Sequence, residues 1–269
     1  MSKMPTVFIS HGGGPCFSMP SNPPGMWDVL ENYLRGLPQD IGQTPKAILM
    51  VSAHWEEENL KIQGQEAPEM LFDYYGFPAH TYELNYPAPG SPTLAARTIS
   101  LLRAAGHEIE AVHDRGFDHG NFVPMLVAWP DAEIPVIQLS LRADMDPAAH
   151  IGIGQALEPL RDEGVLIIGS GYSYHNMQSM GAYMRSGGDV HFGDEFNDWL
   201  VEAATSADAE VRNEALTRWA SAPMARDAHP REEHLLPLHV VAGAAGEDLG
   251  KHAWEGRILG AVSSAFQYG

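Results

Sequence analysis

Thirteen histidines are spread along the 269-residue chain. Five of them stand where chemistry could use them. His11 follows Thr6-Val7-Phe8-Ile9-Ser10, and His54 follows Ala47-Ile48-Leu49-Met50-Val51-Ser52-Ala53. His175 comes shortly after Val165-Leu166-Ile167-Ile168-Gly169-Ser170. His119 sits in Gly116-Phe117-Asp118-His119-Gly120-Asn121, and His234 in Glu232-Glu233-His234-Leu235-Leu236-Pro237. A neutral imidazole can ligate a transition metal or move a proton near neutral pH. Brought together, these side chains would make a metal centre with its own acid/base group. Neither HExxH nor CxxC occurs, which excludes the usual zinc-protease and zinc-finger layouts. Imidazole ligands without thiolate suit Fe(II), Mn or Zn, and three facial ligands with open positions are the arrangement of non-haem Fe(II) oxygenases.

Each histidine also has an ordinary reading. The Gly12-Gly13-Gly14-Pro15 run after His11 lets the backbone turn sharply and approach a ligand. It lacks both the GxGxxG spacing and a Walker lysine, so a phosphate cradle is disfavoured. His54, taken alone, could equally be a core histidine satisfied by a carbonyl; its pairing with His11, expected on a neighbouring strand, favours a ligand. His119 divides evenly between a site residue and part of a turn stabilised by Asp118. Pro237 is tolerated only in a first helical turn, so His234 belongs at a helix start. His239 lies on a different face of that helix. His80, His107, His113, His150, His191, His229 and His252 carry no contextual signal.

The elements that would position these groups follow from the apolar pattern. Short, continuous apolar runs mark strands buried on both faces of a parallel sheet. Ligands of such sheets bind beyond the carboxyl ends of the strands, where His11, His54 and His175 fall. A helix is expected from Met26 to Leu34. Residues 56 to 91 read as a long irregular loop, of the kind that is usually functional. Ser91-Pro92 opens a helix closed by Gly106, Ile134 to Leu141 is a strand, and Asp146-Pro147 opens a helix ending at Gly164. The last third reads as helices at Asp194 to Ala204, Val211 to Ala220 and Leu235 to Ala245, with a final strand near Ile258 to Ser264. With no linker in view, the expectation is one three-layer α/β/α domain over 1–269 with a mainly parallel, mixed sheet.

Composition narrows the partners. The chain is 44% hydrophobic and 19% charged, as expected of a globular protein. Its 16 Lys+Arg against 35 Asp+Glu give a formal charge of −19. Such a surface favours solubility and argues against nucleic acid or anionic membrane as partner. A single cysteine, Cys16, excludes an internal disulfide and fits a reducing compartment. No signal-like or bilayer-length apolar stretch is present, so the expected location is cytoplasmic. Assembly as a homo-oligomer is compatible with the sequence.

Five motifs together resemble one family: Ser-His-Gly-Gly-Gly-Pro at 10–15, Ser-Ala-His-Trp at 52–55, Tyr-Pro-Ala-Pro-Gly-Ser-Pro at 86–92, Gly-Phe-Asp-His-Gly at 116–120 and Glu-His-Leu-Leu-Pro-Leu at 233–238. They look like the class III extradiol ring-cleaving dioxygenases, in the 4,5-DOPA extradiol dioxygenase-like branch. The resemblance implies a metal-dependent oxidoreductase that opens a catechol-type ring with O2. It implies His11, His54 and His234 as metal ligands, His175 as the acid/base residue and a possible fourth ligand, and His119 as catalytic and lining the substrate pocket. Tyr174 is a further substrate-binding candidate. Fe(II) is the expected cofactor, with Zn(II) able to occupy the same site. The branch more often has His-Gly-Ser-Pro at the first motif, so the extra glycine would reshape the pocket floor. Distant two-subunit members use a glutamate as third ligand, which makes Glu233 a competitor of His234. The resemblance places the chain in aromatic compound catabolism. The rival readings are a zinc hydrolase on the same histidines and a non-catalytic metal-binding relative. Segments 56–91 and 177–193 are expected to shape specificity, with Arg185 as a candidate for a substrate carboxylate.

Overall fold

The computed structural model describes residues 3–269. Its strands are β1 (Thr6–Ser10), β2 (Ala47–Glu57), β3 (Leu60–Gln63), β4 (Ile109–Val112), β5 (Val136–Arg142), β6 (Val165–Gly171), β7 (Gly250–Ile258) and β8 (Ala261–Tyr268). They form one sheet in the order β4-β3-β5-β2-β6-β1-β8-β7. Its centre, β5-β2-β6-β1, is parallel. Antiparallel pairing joins β8 to β1 and β7, and β3 to β5, so the sheet is mixed.

The helices are α1 (Asp28–Ile41), α2 (Pro92–Ala104), α3 (His119–Ala128), α4 (Pro147–Leu157), α5 (Pro159–Asp162), α6 (Met177–Ser186), α7 (Asp194–Ala204), α8 (Ala209–Thr217), α9 (Ala225–Ala228) and α10 (Leu236–Ala244). The central strands are apolar throughout because both of their faces are covered. Val7, Ile9, Ile48, Met50, Leu166 and Ile168 pack with residues of α1 and α3. The alternate residues Leu49, Val51, Val165 and Ile167 pack with α2, α4 and α10. Period-2 alternation thus divides each run between two helical layers. Among the described residues, no helix is long and apolar enough to cross a membrane.

Several sequence expectations need correction. Residues 56–91 are not wholly irregular: β2 continues to Glu57, β3 follows, and a short 3-10 turn covers Ala79–Tyr82. The helix expected to end at Leu34 runs on to Ile41, carrying Pro38 inside it. The 147–164 helix is broken into α4 and α5 at Pro159. The final strand is the second arm of a hairpin whose first arm, β7, has little apolar content and is mostly half-exposed. His11 and His54 are not on neighbouring strands, because β6 lies between β1 and β2.

The tightest helix contact is between α4 and α10, and it depends on glycine. A Cβ on Gly154 would fall 2.1 Å from the Val240 carbonyl, and one on Gly243 would fall 2.1 Å from the Ile151 carbonyl. Gly154→Ala is therefore expected to destabilise the fold by about 1–3 kcal/mol, the usual cost of overpacking, in denaturant unfolding; an unchanged midpoint would refute this contact. Buried His150 is neutral: Nδ1 bonds the Asp146 carbonyl at 2.7 Å and Nε2 accepts the Arg142 N–H at 3.1 Å. Burial lowers its pKa from 6.5 to about 4. The folded state then binds the proton less readily than the unfolded one. This contribution is present above pH 6.5 and lost as pH falls towards 4. Unfolding at pH 7.5 and 4.5 should show a smaller acid loss in His150→Gln than in the parent.

Candidate metal centre

The parallel register of β1 and β6 sets Ser10 opposite Gly171, so the chain leaving β1 delivers His11 to the carboxyl edge of the sheet. The His11 N–H donates to the Gly171 carbonyl at 3.3 Å. β2 reaches the same edge with Ser52 opposite Ser170. Its register against β5 shifts between Val51 and Glu56, and His54 stands inside that irregularity. Bulges of this kind re-aim side chains beside active sites. His234 arrives from the segment before α10, with Pro237 in the first helical turn. Its backbone rests on the end of β6: the Tyr172 N–H donates to the His234 carbonyl at 2.9 Å. A Cβ on Gly171 would stand 2.1 Å from that carbonyl oxygen.

These three histidines converge. One ring nitrogen from each of His11, His54 and His234 lies within 4.8 Å of the others. The Nε2 atoms of His11 and His54 are 3.1 Å apart. Two nitrogens each about 2.1 Å from a common ion, at angles between octahedral and tetrahedral, would be separated by about 3.0–3.4 Å. The observed contact fits that span.

Hydrogen bonding fixes which nitrogens are free. The Ser170 hydroxyl donates to the Gly120 carbonyl, so its oxygen accepts from His11 Nδ1–H at 3.0 Å. That tautomer leaves the His11 Nε2 lone pair pointing at His54. His234 Nδ1 lies 2.9 Å from Glu233 Oε1, and a carboxylate only accepts, so Nε2 is again the unprotonated atom. Burial, then the neighbouring histidines, holds His11 well below its ordinary pKa. Burial does the same for His234, against the opposing pull of Glu233. His54 is lowered to about 4, chiefly by burial and then by His119. Neutral, convergent imidazoles, two of them with Nε2 lone pairs fixed inward, are what a divalent transition metal requires.

The other two histidines occupy the same space with different partners. His119 begins α3; its Nδ1 and its backbone N–H both bond Asp73 Oδ1, at 2.8 and 3.0 Å. Burial works to raise the Asp73 carboxyl, but the bonds from His119 outweigh it and hold it low. His175 stacks on His234 with ring centroids 3.4 Å apart at 15°. Its Nδ1 is 3.5 Å from Glu233 Oε1. Glu233 is likewise held ionised, its burial outweighed by bonds from His175 and His234. Glu233 therefore supports two histidines from behind. It does not join His11 and His54, although its oxygen groups with His175 and His234.

Sequence reasoning missed a buried polar clamp. Asp118 is fully buried and accepts from Ser52 Oγ at 2.8 Å, from Arg115 Nη2 at 2.9 Å and from Gln138 Nε2. Arg115 also donates to the His54 carbonyl at 3.1 Å, and Ser52 Oγ accepts the His54 N–H at 3.2 Å. Asp118 precedes α3 but makes no capping bond, because its oxygens face this network.

A cavity of about 500 Å³ opens over the histidines, and His11, His54, His119, Tyr172, His175 and His234 all line it. Tyr174 does not. It is buried, and its ring packs on Phe192 with centroids 5.2 Å apart. Tyr172 takes the cavity wall, its ring 5.2 Å from that of His11. The substrate contact expected of Tyr174 is thus misplaced: on a regular strand residues 172 and 174 would share a face, but the chain bends at 173–174 and parts the two rings. Arg185 is exposed on α6 and is not part of the cavity wall.

Comparison with known proteins agrees with this geometry. Residues 5–267 match the family described as the catalytic LigB subunit of aromatic ring-opening dioxygenase. A Beta vulgaris protein named 4,5-DOPA dioxygenase extradiol is 40% identical, the match covering 97% of this chain and 96% of that one. A Hapsidospora irregularis protein named dioxygenase tasH is 36% identical over 92% of this chain and 80% of its own. The crystal structure of an uncharacterized Escherichia coli K12 protein superposes with a TM-score of 0.80 at 29% identity, covering 99% of this chain and all of that one. The chain belongs to the aromatic ring-opening dioxygenases of the LigB family, class III extradiol enzymes of the 4,5-DOPA extradiol dioxygenase-like branch.

Proposed function

We infer that the protein opens the ring of a catechol beside its two hydroxyls, using Fe(II) held by His11, His54 and His234. The observation that carries this reading is the convergence of three neutral, inward-facing imidazoles beneath a cavity with room for an aromatic ring. When bound, Fe(II) would supply Lewis acidity towards the diol and redox reactivity towards O2, whereas Zn(II) in the same place would supply only the Lewis acidity.

The remaining residues bind, orient and move protons. His175 lines the cavity beside His234, and its Nδ1 is directed to the Glu233 carboxylate. Its other nitrogen is the base for a catechol hydroxyl, and the Glu233 charge stabilises the imidazolium that results. The same nitrogen returns the proton as the ring opens. His119 is held by Asp73 at Nδ1, leaving Nε2 to bond the second catechol oxygen. Tyr172 and the glycines after His11 form the floor. Gly12 and Gly14 have φ of 84° and 52°, a backbone that side chains resist, and this keeps the floor close to the ring.

Two substitutions test these roles. His175→Ala should retain iron by metal analysis while kcat falls on the order of 10²–10⁴-fold, as for loss of a general acid/base; iron lost together with activity would make it a ligand instead. Ser170→Ala removes the acceptor that fixes the His11 tautomer. It should weaken metal binding about 10–100-fold, as removal of such an outer partner does, and, by orphaning the buried His11 Nδ1–H and Gly120 carbonyl, cost about 1–3 kcal/mol in unfolding. Undiminished affinity would remove Ser170 from the account.

A further inference from the structure

The cavity wall is rich in apolar side chains. Among the described residues that line it there is no Lys, Arg, Asp or Glu. Beyond the histidines it is built from Met19, Met26, Met177, Met180, Met184 and aromatic or aliphatic neighbours such as Trp27 and Phe77. Met177, Met180 and Met184 follow helical spacing, so one face of α6 forms an apolar wall. Methionine is flexible and polarizable, and it packs well against varied apolar shapes and aromatic rings.

The ionised groups just behind this wall are negative. Asp73 backs His119 and lies 3.7 Å from His54 Nδ1, and Glu233 backs His175 and His234. Two arginines approach the same supports, but both are committed. Arg115 is bound to the buried Asp118, and Arg231 to Glu56 and Glu233. The chain as a whole carries −19. With the diol on the histidines, a carboxylate on the far side of the ring would lose water and meet no Lys or Arg, only Ser21 and Asn22 among the other polar lining residues, at a real cost in free energy.

Resting on the catechol reading above, we propose that the preferred substrate is a catechol bearing an uncharged apolar substituent, such as an alkyl or aryl group. A catechol amino acid or a dihydroxybenzoate is disfavoured. The diol meets the histidines, and the substituent lies along Met177, Met180 and Met184. This separates the chain from the substrate printed in its relatives' names.

The test compares 4-tert-butylcatechol, DOPA and 3,4-dihydroxybenzoate in two ways. In oxygen uptake by the Fe(II)-loaded enzyme, kcat/KM should favour 4-tert-butylcatechol by tenfold or more. In calorimetric binding to Zn(II)-loaded protein, which does not turn over, the affinities should rank in the same order, with the lowest dissociation constant for 4-tert-butylcatechol. Met184→Arg, which places a cation on the wall, should narrow both gaps by favouring the carboxylates. Equal or reversed ranking in binding overturns the proposal. Ring opening absent for every catechol, with the binding order intact, would instead refute the reaction assigned above and leave the polarity of the cavity supported.

Discussion

The site depends on a strand end without side chains. Gly169 and Gly171 let the segment before α10 lie directly on β6, with the Pro237 and His234 carbonyls where a Cβ would fall. This contact brings His234, from the last quarter of the chain, to the edge where β1 and β2 deliver His11 and His54. Ser170, between the two glycines, points the other way and anchors His11. One three-residue stretch therefore sets the backbone of one imidazole and the tautomer of another. The glycine-mediated closeness of α4 and α10 keeps the carrier of His234 from sliding.

Electrostatics divides five similar side chains into two kinds. Burial keeps all three convergent imidazoles neutral, although their Nδ1 surroundings differ: a hydroxyl for His11, Glu233 for His234 and a more distant Asp73 for His54. His119 and His175 also each have a carboxylate near Nδ1, Asp73 at 2.8 Å and Glu233 at 3.5 Å. Buried desolvation disfavours the charged form, and an adjacent carboxylate restores it.

Much of this was legible in the sequence because the central strands are apolar on both faces and end in polar residues. That pattern gave the parallel core and the edge where the histidines gather. The rest was hidden for definite reasons. β3 and β4 are four-residue strands, and β7 is mostly half-exposed, so none carries a continuous apolar run. The interposed position of β6 is a matter of topology, which local pattern does not encode. Asp73 lies in an otherwise irregular stretch, and Asp118 looked like an ordinary turn residue. Their importance comes from partners far off in the chain: buried Asp118 bonds Ser52 and Gln138, and Asp73 bonds His119. An acidic residue directly before a histidine-led apolar helix was the one available signal. Tyr174 was misjudged for the opposite reason, since proximity to His175 in sequence says little about direction.

His11 and its anchor Ser170 are separated by 159 positions, and His234 lies beyond both. During synthesis, a nascent chain could expose β1, β2 and β6 long before the third imidazole leaves the ribosome. A chain interrupted before His234 would carry two of the three convergent imidazoles without the third.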